Sequence, residues 1–181
     1  MNTVISVTTL VGNPRRLSKT LAAAEALAQS IATGLDTLQG SSPIDLAELY
    51  RDGIEPPHDG IERAIEQVGT ADILIIGTPV YKASYTGLLK LFLDQLPPGA
   101  LSGTAAVPVT IAGAAPHRLL ADLHLRPVLA ELGARLPVPS LVLEGSEYGD
   151  LPRLVQRWSE RHLADLTVAL AFSRPTAEVG A

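Results

Sequence analysis

The chain has 181 residues, a net charge of −5 and no cysteine, which suits a single domain and excludes disulfides, thiolate metal sites and cysteine nucleophiles. The acidic balance, the absence of a basic run and an aromatic content of 4% argue against a nucleic-acid partner. Because no apolar run reaches the roughly 20 residues that a membrane helix needs, and no signal peptide is visible, the expected location is the cytoplasm.

Strand and helix patterns alternate along the chain. In order, the first half is expected to hold a strand over 3–9, a helix over 18–33, a strand over 44–46, an irregular segment over 47–60 and a helix over 61–69. The next run, 73–77, is continuously apolar and rich in β-branched residues. Such a strand is typical of a parallel sheet that is covered on both faces.

The second half continues the alternation. It is expected to hold a helix over 85–96, a strand over 105–112, a helix over 116–133, a strand over 138–143 and a helix over 151–170. Five strands that alternate with helices predict an α/β fold, a doubly wound parallel sheet in the flavodoxin-like order 2-1-3-4-5. Residues 1–172 would form this single domain, with 173–181 as a flexible tail.

The loop after the first strand has the residue types that bind a phosphate. It contains four candidate phosphate ligands, Arg15, Ser18, Lys19 and Thr20, and it leads directly into a helix. Hydroxyl groups, a guanidinium and the backbone N–H groups of a helix N-terminus can converge on one anion there. The spacing matches neither the triphosphate P-loop nor the dinucleotide fingerprint. A ligand with one phosphate is therefore favoured, and flavin mononucleotide (FMN) is the obvious candidate.

Two further loops would lie beside the first, because ligands of such sheets bind beyond the carboxyl ends of the strands at the switch point. The loop after the third strand contributes Pro79, Val80, Tyr81, Lys82 and Ser84, and the loop after the fourth contributes Gly113, Ala114 and His117. The former can cover a flat ring, and the latter allows a close approach of the backbone. Purely structural roles stay open for several of these residues. Arg15 and Lys82 could be solvent-exposed charges, Ser18 or His117 could only cap a helix, and Tyr81 could only pack against its neighbours.

The chain resembles the NADPH-dependent FMN reductases in the loop over 12–20 and, more specifically, over 78–90. Within that family, the stretch 117–129 is most similar to the reductases of two-component alkanesulfonate and methanesulfonate monooxygenase systems. The first loop differs from the family in having Asn13 where serine is common and Leu17 before Ser18. The resemblance implies reduction of FMN, as a substrate or a loosely bound group, by NADPH or NADH, and release of the reduced flavin to a partner monooxygenase.

The helix over 116–133 changes its apolar phase midway, and Pro127 removes an N–H group that the helix would use. A π-bulge accommodates such a slip, although a simple proline kink is an alternative. The resembled reductases carry a π-helix here, near the flavin and the subunit interface, and His124 is the candidate inserted residue. Leucines crowd more than one face of the helix over 85–96, which predicts a homodimer or homotetramer packed through both helices.

No catalytic residue is predicted, because hydride transfer from a nicotinamide to a flavin requires mainly positioning. No residues have the spacing of a metal site either. Two other classes remain open at this point. A quinone, azo or chromate reductase that retains its FMN would use the same loops, and a flavodoxin-like electron carrier would share the fold. The carrier is disfavoured because it should be more acidic and more aromatic at the flavin.

Overall fold

The computed structural model describes residues 5–37, 42–53 and 58–171. It contains a five-stranded parallel sheet in the order β2-β1-β3-β4-β5. The strands are β1 Val7–Val11, β2 Ile44–Asp45, β3 Ile73–Pro79, β4 Ala105–Ala112 and β5 Leu141–Glu144. The predicted doubly wound, flavodoxin-like α/β fold is therefore confirmed. The tail predicted over 173–181 lies outside the described residues.

Helices cover both faces of the sheet. They are α1 Lys19–Gly34, α2 Leu46–Leu49, α3 His58–Gly69, α4 Gly87–Leu93, α5 Arg126–Glu131 and α6 Leu151–Ala171. Two 3₁₀ helices, Ala115–Leu119 and Glu147–Asp150, and a π-helix, Ala121–Leu125, complete the described elements. Within the described ranges, no helix is both long enough and apolar enough to cross a membrane.

The alternation of side chains along the strands divides the core into two layers. Ile73 and Ile75 of β3 are fully buried against the layer formed with α1 and α6, whereas Leu74 and Ile76 are fully buried against the layer formed with α3, α4 and α5. Successive strand residues point to opposite faces, so a strand covered on both sides must be apolar throughout. This explains why 73–77 was the clearest strand in the sequence.

The structure corrects several predicted boundaries, while the strand over 105–112 and the helices over 18–33 and 151–170 agree to within one residue. The corrected elements are β1, which runs to Val11; α3, which begins at His58; β3, which continues to Pro79; α4, which spans Gly87–Leu93; and β5, which spans Leu141–Glu144. The part of the first predicted strand before residue 5 lies outside the described residues.

Side-chain caps explain two of the differences. The Asp45 carboxylate accepts the N–H of Ala47 at 3.0 Å, so the strand ends there and Leu46 begins α2 rather than extending β2. The segment over 47–60 therefore contains a short helical turn. The Thr86 hydroxyl accepts the N–H of Leu89 at 3.1 Å, which makes Thr86 the cap of α4 and delays the start of this helix to Gly87.

Gly12 joins the end of β1 to the start of α4. Its N–H donates to the carbonyl of Gly77 at 2.9 Å, and its own carbonyl accepts the buried hydroxyl of Thr86. A Cβ atom at position 12 would overlap the side chain of Leu89 and lie 3.0 Å from the Leu89 Cα. Only glycine allows the two elements to approach this closely.

We expect Gly12→Ala to lower the free energy of unfolding by about 1–3 kcal/mol, because the added methyl group overpacks the contact with α4. Denaturant unfolding measures the change. The matched control is Gly87→Ala in the first turn of α4, where an added Cβ meets nothing within 4 Å. This control should be neutral or slightly stabilising, since alanine favours a helix. Equal stability of Gly12→Ala and the wild type would contradict the assignment.

Candidate functional site

Three loops leave the carboxyl edge of the sheet where the strand order reverses, between β1 and β3. The contacts of Gly12 with Gly77 and Thr86 hold the first loop against the second. Pairing of β3 with β4 extends to Pro79 opposite Ile111, so the third loop begins beside the second. The structure therefore brings together the three segments that the sequence predicted to form one site.

Asn13 holds the first loop in shape. Its amide nitrogen donates to the Thr20 hydroxyl at 3.1 Å, and its amide oxygen accepts the backbone N–H of Arg15 at 2.9 Å. Thr20 is almost fully buried in this contact. Ser18 caps α1 by accepting the N–H of Leu21 at 3.1 Å. The loop thus opens directly onto the N-terminus of a 16-residue helix, which favours a bound anion.

The basic side chains of this loop have different environments. Arg15 is exposed and has no carboxylate partner among the residues that the structure describes. The neighbouring Arg16 forms an ion pair with Glu48 and is engaged there. Lys19, the first residue of α1, lies with its ammonium 4.9 Å from the centre of the Tyr148 ring. Arg15 and Lys19 are therefore available for an anion, whereas Arg16 is held by the opposite charge.

The second loop is a tight two-residue turn. Tyr81 and Ser84 exchange two backbone hydrogen bonds of 2.8 and 3.0 Å, and the residues between them, Lys82 and Ala83, have φ angles of 51° and 60°. Two consecutive left-handed residues define a type I′ turn. Side chains other than glycine rarely adopt this conformation, so the surrounding contacts must hold it. Tyr81 is 45% exposed at the edge of the site, where a flat ring could contact it.

The other predicted residues of this loop are placed around the turn. Pro79 is the last residue of β3 and Val80 follows it, both half-buried. The side chain of Lys82 is exposed and that of Ser84 is half-buried. Next to the turn, burial raises the pKa of the Tyr85 hydroxyl, so this phenol stays neutral at physiological pH.

The third loop places a histidine beside a glycine. The N–H of His117 donates to the carbonyl of Ala114 at 2.9 Å within the first 3₁₀ helix. The Nδ1 atom of His117 is buried and has no hydrogen-bond partner among the described residues. A Cβ atom on Gly113 would lie 3.9 Å from this nitrogen. Since an unpaired buried polar atom costs about 1–3 kcal/mol, a ligand that bonds with this nitrogen would be favoured.

The helix predicted over 116–133 is divided into three segments. The 3₁₀ helix Ala115–Leu119 comes first, the π-helix Ala121–Leu125 follows, and α5 begins at Arg126. The structure therefore has the π-helical segment that the phase slip and Pro127 indicated, and His124 lies within it. The Nδ1 atom of His124 is 3.4 Å from the Ser84 hydroxyl, so the π-helix contacts the second loop directly.

Several residues of the site region were missed by the sequence analysis. Tyr148, in the second 3₁₀ helix, packs beneath Lys19. Arg118 forms ion pairs with Glu144 at 2.8 Å and Glu147 at 3.7 Å, and the bond with Glu144 raises the pKa of its guanidinium, which stays cationic. The sequence did contain one signal for these acidic residues and for Tyr148. They lie at or just after the end of the fifth predicted strand, and its carboxyl end lies at the same edge of the sheet as the carboxyl ends of the other strands.

The arrangement has the features that FMN requires. A helix N-terminus next to Arg15, which has no carboxylate partner in the described ranges, suits the phosphate, and an exposed tyrosine on a rigid turn suits the flat ring. The Nδ1 of His117, unpartnered within the part of the chain that the structure describes, suits a polar atom of that ring. The fold and these loops together define a flavodoxin-like protein with a candidate ligand site at the switch point of the sheet.

Comparisons with known proteins agree with this class. A family model described as NADPH-dependent FMN reductase matches residues 5–147. An FMN reductase (NADPH) of Escherichia coli is 40% identical over 135 residues, which are 71% of this chain and 68% of that protein. An NADH-dependent FMN reductase, SfnE, of Pseudomonas putida is 33% identical over 145 residues, 76% of each protein. The chain therefore belongs to the NADPH-dependent FMN reductase family.

A solved structure supports the same assignment. The apo form of an NADH:FMN oxidoreductase (EMOB) superposes with a TM-score of 0.79 at 30% identity and covers 96% of this chain and 92% of that one. The protein is thus an enzyme, an NAD(P)H:FMN oxidoreductase, and its cofactors are FMN and a reduced nicotinamide nucleotide. The family resemblance noted in the sequence is confirmed.

Proposed function

We propose that this flavin reductase releases reduced FMN to a partner flavin-dependent monooxygenase, in the desulfurisation of sulfonates. The observation that carries the proposal is the contact between the π-helix and the second loop, through His124 and Ser84. It links the segment most similar to the reductases of sulfonate systems to the segment that would cover the flavin. The exposed Tyr81 and Lys82 leave that cover open to solvent, as release requires.

In this proposal the phosphate of FMN binds to the first loop. Arg15 donates from its guanidinium, Ser18 and Lys19 present the N-terminus of α1, and Thr20 supports the loop through its bond with Asn13. Bonds between a charged donor and a phosphate are about twice as strong as neutral ones. Thr20 is buried and bonded to Asn13, so we propose that it acts by holding the loop.

The flavin ring would lie between the second and third loops. Pro79, Val80, Tyr81, Lys82 and Ser84 would form one wall, and Gly113, Ala114 and His117 the other. FMN supplies the two-electron redox chemistry when it is bound. The chain would position the ring, and backbone N–H groups of both loops would favour negative charge on the reduced ring. No side chain is assigned a proton-transfer role.

We further propose that the protein assembles as a dimer or a dimer of dimers. Leu119 and Leu123, on the 3₁₀ and π segments, are 59% and 65% exposed, and Leu91 of α4 is 36% exposed. The prediction that the apolar residues of α4 form a subunit contact needs a correction. Leu89 and Phe92 are fully buried in the core of the protomer itself and are not available for a contact between subunits. The proposed contact surface is therefore centred on the 3₁₀ and π segments. The cytoplasmic location also stays a prediction.

The release of flavin can be tested directly. The purified chain should oxidise NADPH or NADH when FMN is added, and reduced FMN should pass to a separate flavin acceptor across a dialysis membrane. Deletion of His124 should restore helical phase, retain hydride transfer in a single turnover and reduce this passage. Retention of one FMN per subunit through purification, with no transfer, would instead favour a reductase that keeps its flavin.

The phosphate assignment predicts that Arg15→Ala and Ser18→Ala each weaken FMN binding by about 1.5–3 kcal/mol, the value of a hydrogen bond to a charged group. Isothermal titration calorimetry measures the affinity. Arg16→Ala is the matched control, because Arg16 is paired with Glu48 and should leave FMN affinity unchanged within about 0.5 kcal/mol. Unchanged affinity in both test variants would contradict the assignment.

The assembly proposal predicts a dimer or tetramer in sedimentation velocity at micromolar concentration. Leu119→Asp combined with Leu123→Asp should give monomers, because a buried unpaired charge strongly opposes association. Val168→Asp is the control, since Val168 is a comparably exposed (61%) apolar residue on α6. A wild-type protein that is monomeric with and without FMN would refute the proposal.

A further inference from the structure

A second cavity lies outside the three loops, between the edge strand β5 and α6. Its volume is about 230 Å³. Leucines of β5 and α6, Leu141, Leu143 and Leu154, form an apolar floor. The volume is several times the roughly 30 Å³ that one water molecule occupies in the liquid, so the cavity has room for a small organic ligand.

The walls of this cavity carry an excess of positive charge. Arg118, Arg157 and Arg161 line it, and Glu147 is the one carboxylate among its lining residues. Arg118 is bonded to Glu144 and Glu147. Arg157 and Arg161 have no ion-pair partner among the described residues and lie one turn apart on α6. Like charges at this spacing repel each other, and an anion between them would remove the repulsion.

One wall residue of the cavity has a buried hydrogen-bond donor without a partner. The Trp158 side chain lines the cavity and is only 7% exposed. Its Nε1–H has no acceptor within the described parts of the chain. The His162 ring lies 5.0 Å from the indole ring and completes the wall. Because a buried N–H normally finds an acceptor, the unpaired indole is an unusual part of this wall, and its ring is the aromatic surface that a ligand would contact.

We propose that this cavity binds a tetrahedral oxyanion, of the phosphate type, attached to a small apolar or aromatic body. Arg157 and Arg161 bind the anion, and the body packs on the leucine floor and against the Trp158 ring. The overall charge of the chain is −5, so the two neighbouring arginines form a local positive patch that attracts an anion. The proposal is independent of the flavin site.

Trp158 provides the readout, since it is the only tryptophan of the chain. Its fluorescence is titrated with inorganic phosphate, phenyl phosphate, adenosine 2′-monophosphate and adenosine 5′-monophosphate, with ionic strength held constant by sodium chloride. We expect a saturable change with the organic phosphates, at lower concentration than with inorganic phosphate. Arg157→Gln combined with Arg161→Gln should weaken the organic phosphates at least tenfold.

Arg153→Gln is the control for loss of charge on the same helix. Arg153 lies 3.8 Å from Asp150 and does not line the cavity, so binding should be unchanged. The double variant should unfold at the same temperature as the wild type or higher, because a like-charge pair is removed. It should also retain FMN reduction, which separates a failure of this proposal from a failure of the proposed function.

Two sources of the oxyanion are distinguished by the probes. Adenosine 2′-monophosphate binding much more tightly than phenyl phosphate or adenosine 5′-monophosphate supports the site as one for the phosphorylated end of a dinucleotide. Comparable binding of the three supports a site for a free phosphate ester. No saturable response beyond that of chloride, or an equal response in the double variant and Arg153→Gln, would overturn the proposal.

Discussion

The close approach of β1 to α4 is the constraint on which the site depends. Gly12 has no Cβ, so Leu89 can pack directly on its backbone. Its carbonyl accepts the Thr86 hydroxyl across the approach, and its N–H donates to the carbonyl of Gly77 in β3. Thr86 uses one hydroxyl to donate to Gly12 and to accept from Leu89. The same threonine therefore caps α4 and fixes the position of the first loop relative to the second.

The irregular helix is anchored in a comparable way. Arg126 donates to the carbonyls of Val138 and Leu136 at 2.8 and 2.9 Å, directly after the π-helix ends. At the other side, His124 lies against Ser84 of the second loop. A π-helix is less regular than an α-helix and persists only where the surroundings support it. Here the support comes from the backbone before β5 on one side and the proposed flavin loop on the other.

The arginines differ in whether they have a partner within the protein. Arg16, Arg63 and Arg118 each contact a carboxylate, and Arg126 is bonded to backbone carbonyls. Within the described ranges, Arg15, Arg157 and Arg161 have no such partner, although the chain has more acidic than basic residues. Arg15 lies in the loop before α1, where the phosphate of FMN is proposed to bind, and the other two line the second cavity. Among the described arginines, those without a partner therefore lie where anions are proposed to bind.

The sequence alone determined the order of strands and helices and the switch-point loops, and it indicated the π-helix with a proline kink as the alternative. These depend on local patterns: apolar periodicity, loop residue types, and Pro127 beside a phase slip. The tertiary structure decided which residues meet. The burial of Leu89 and Phe92, the position of Tyr148 beneath Lys19 and the contact of His124 with Ser84 join residues far apart in the chain. Local patterns carry no information on such pairs, because helix packing on a twisted sheet sets their distances.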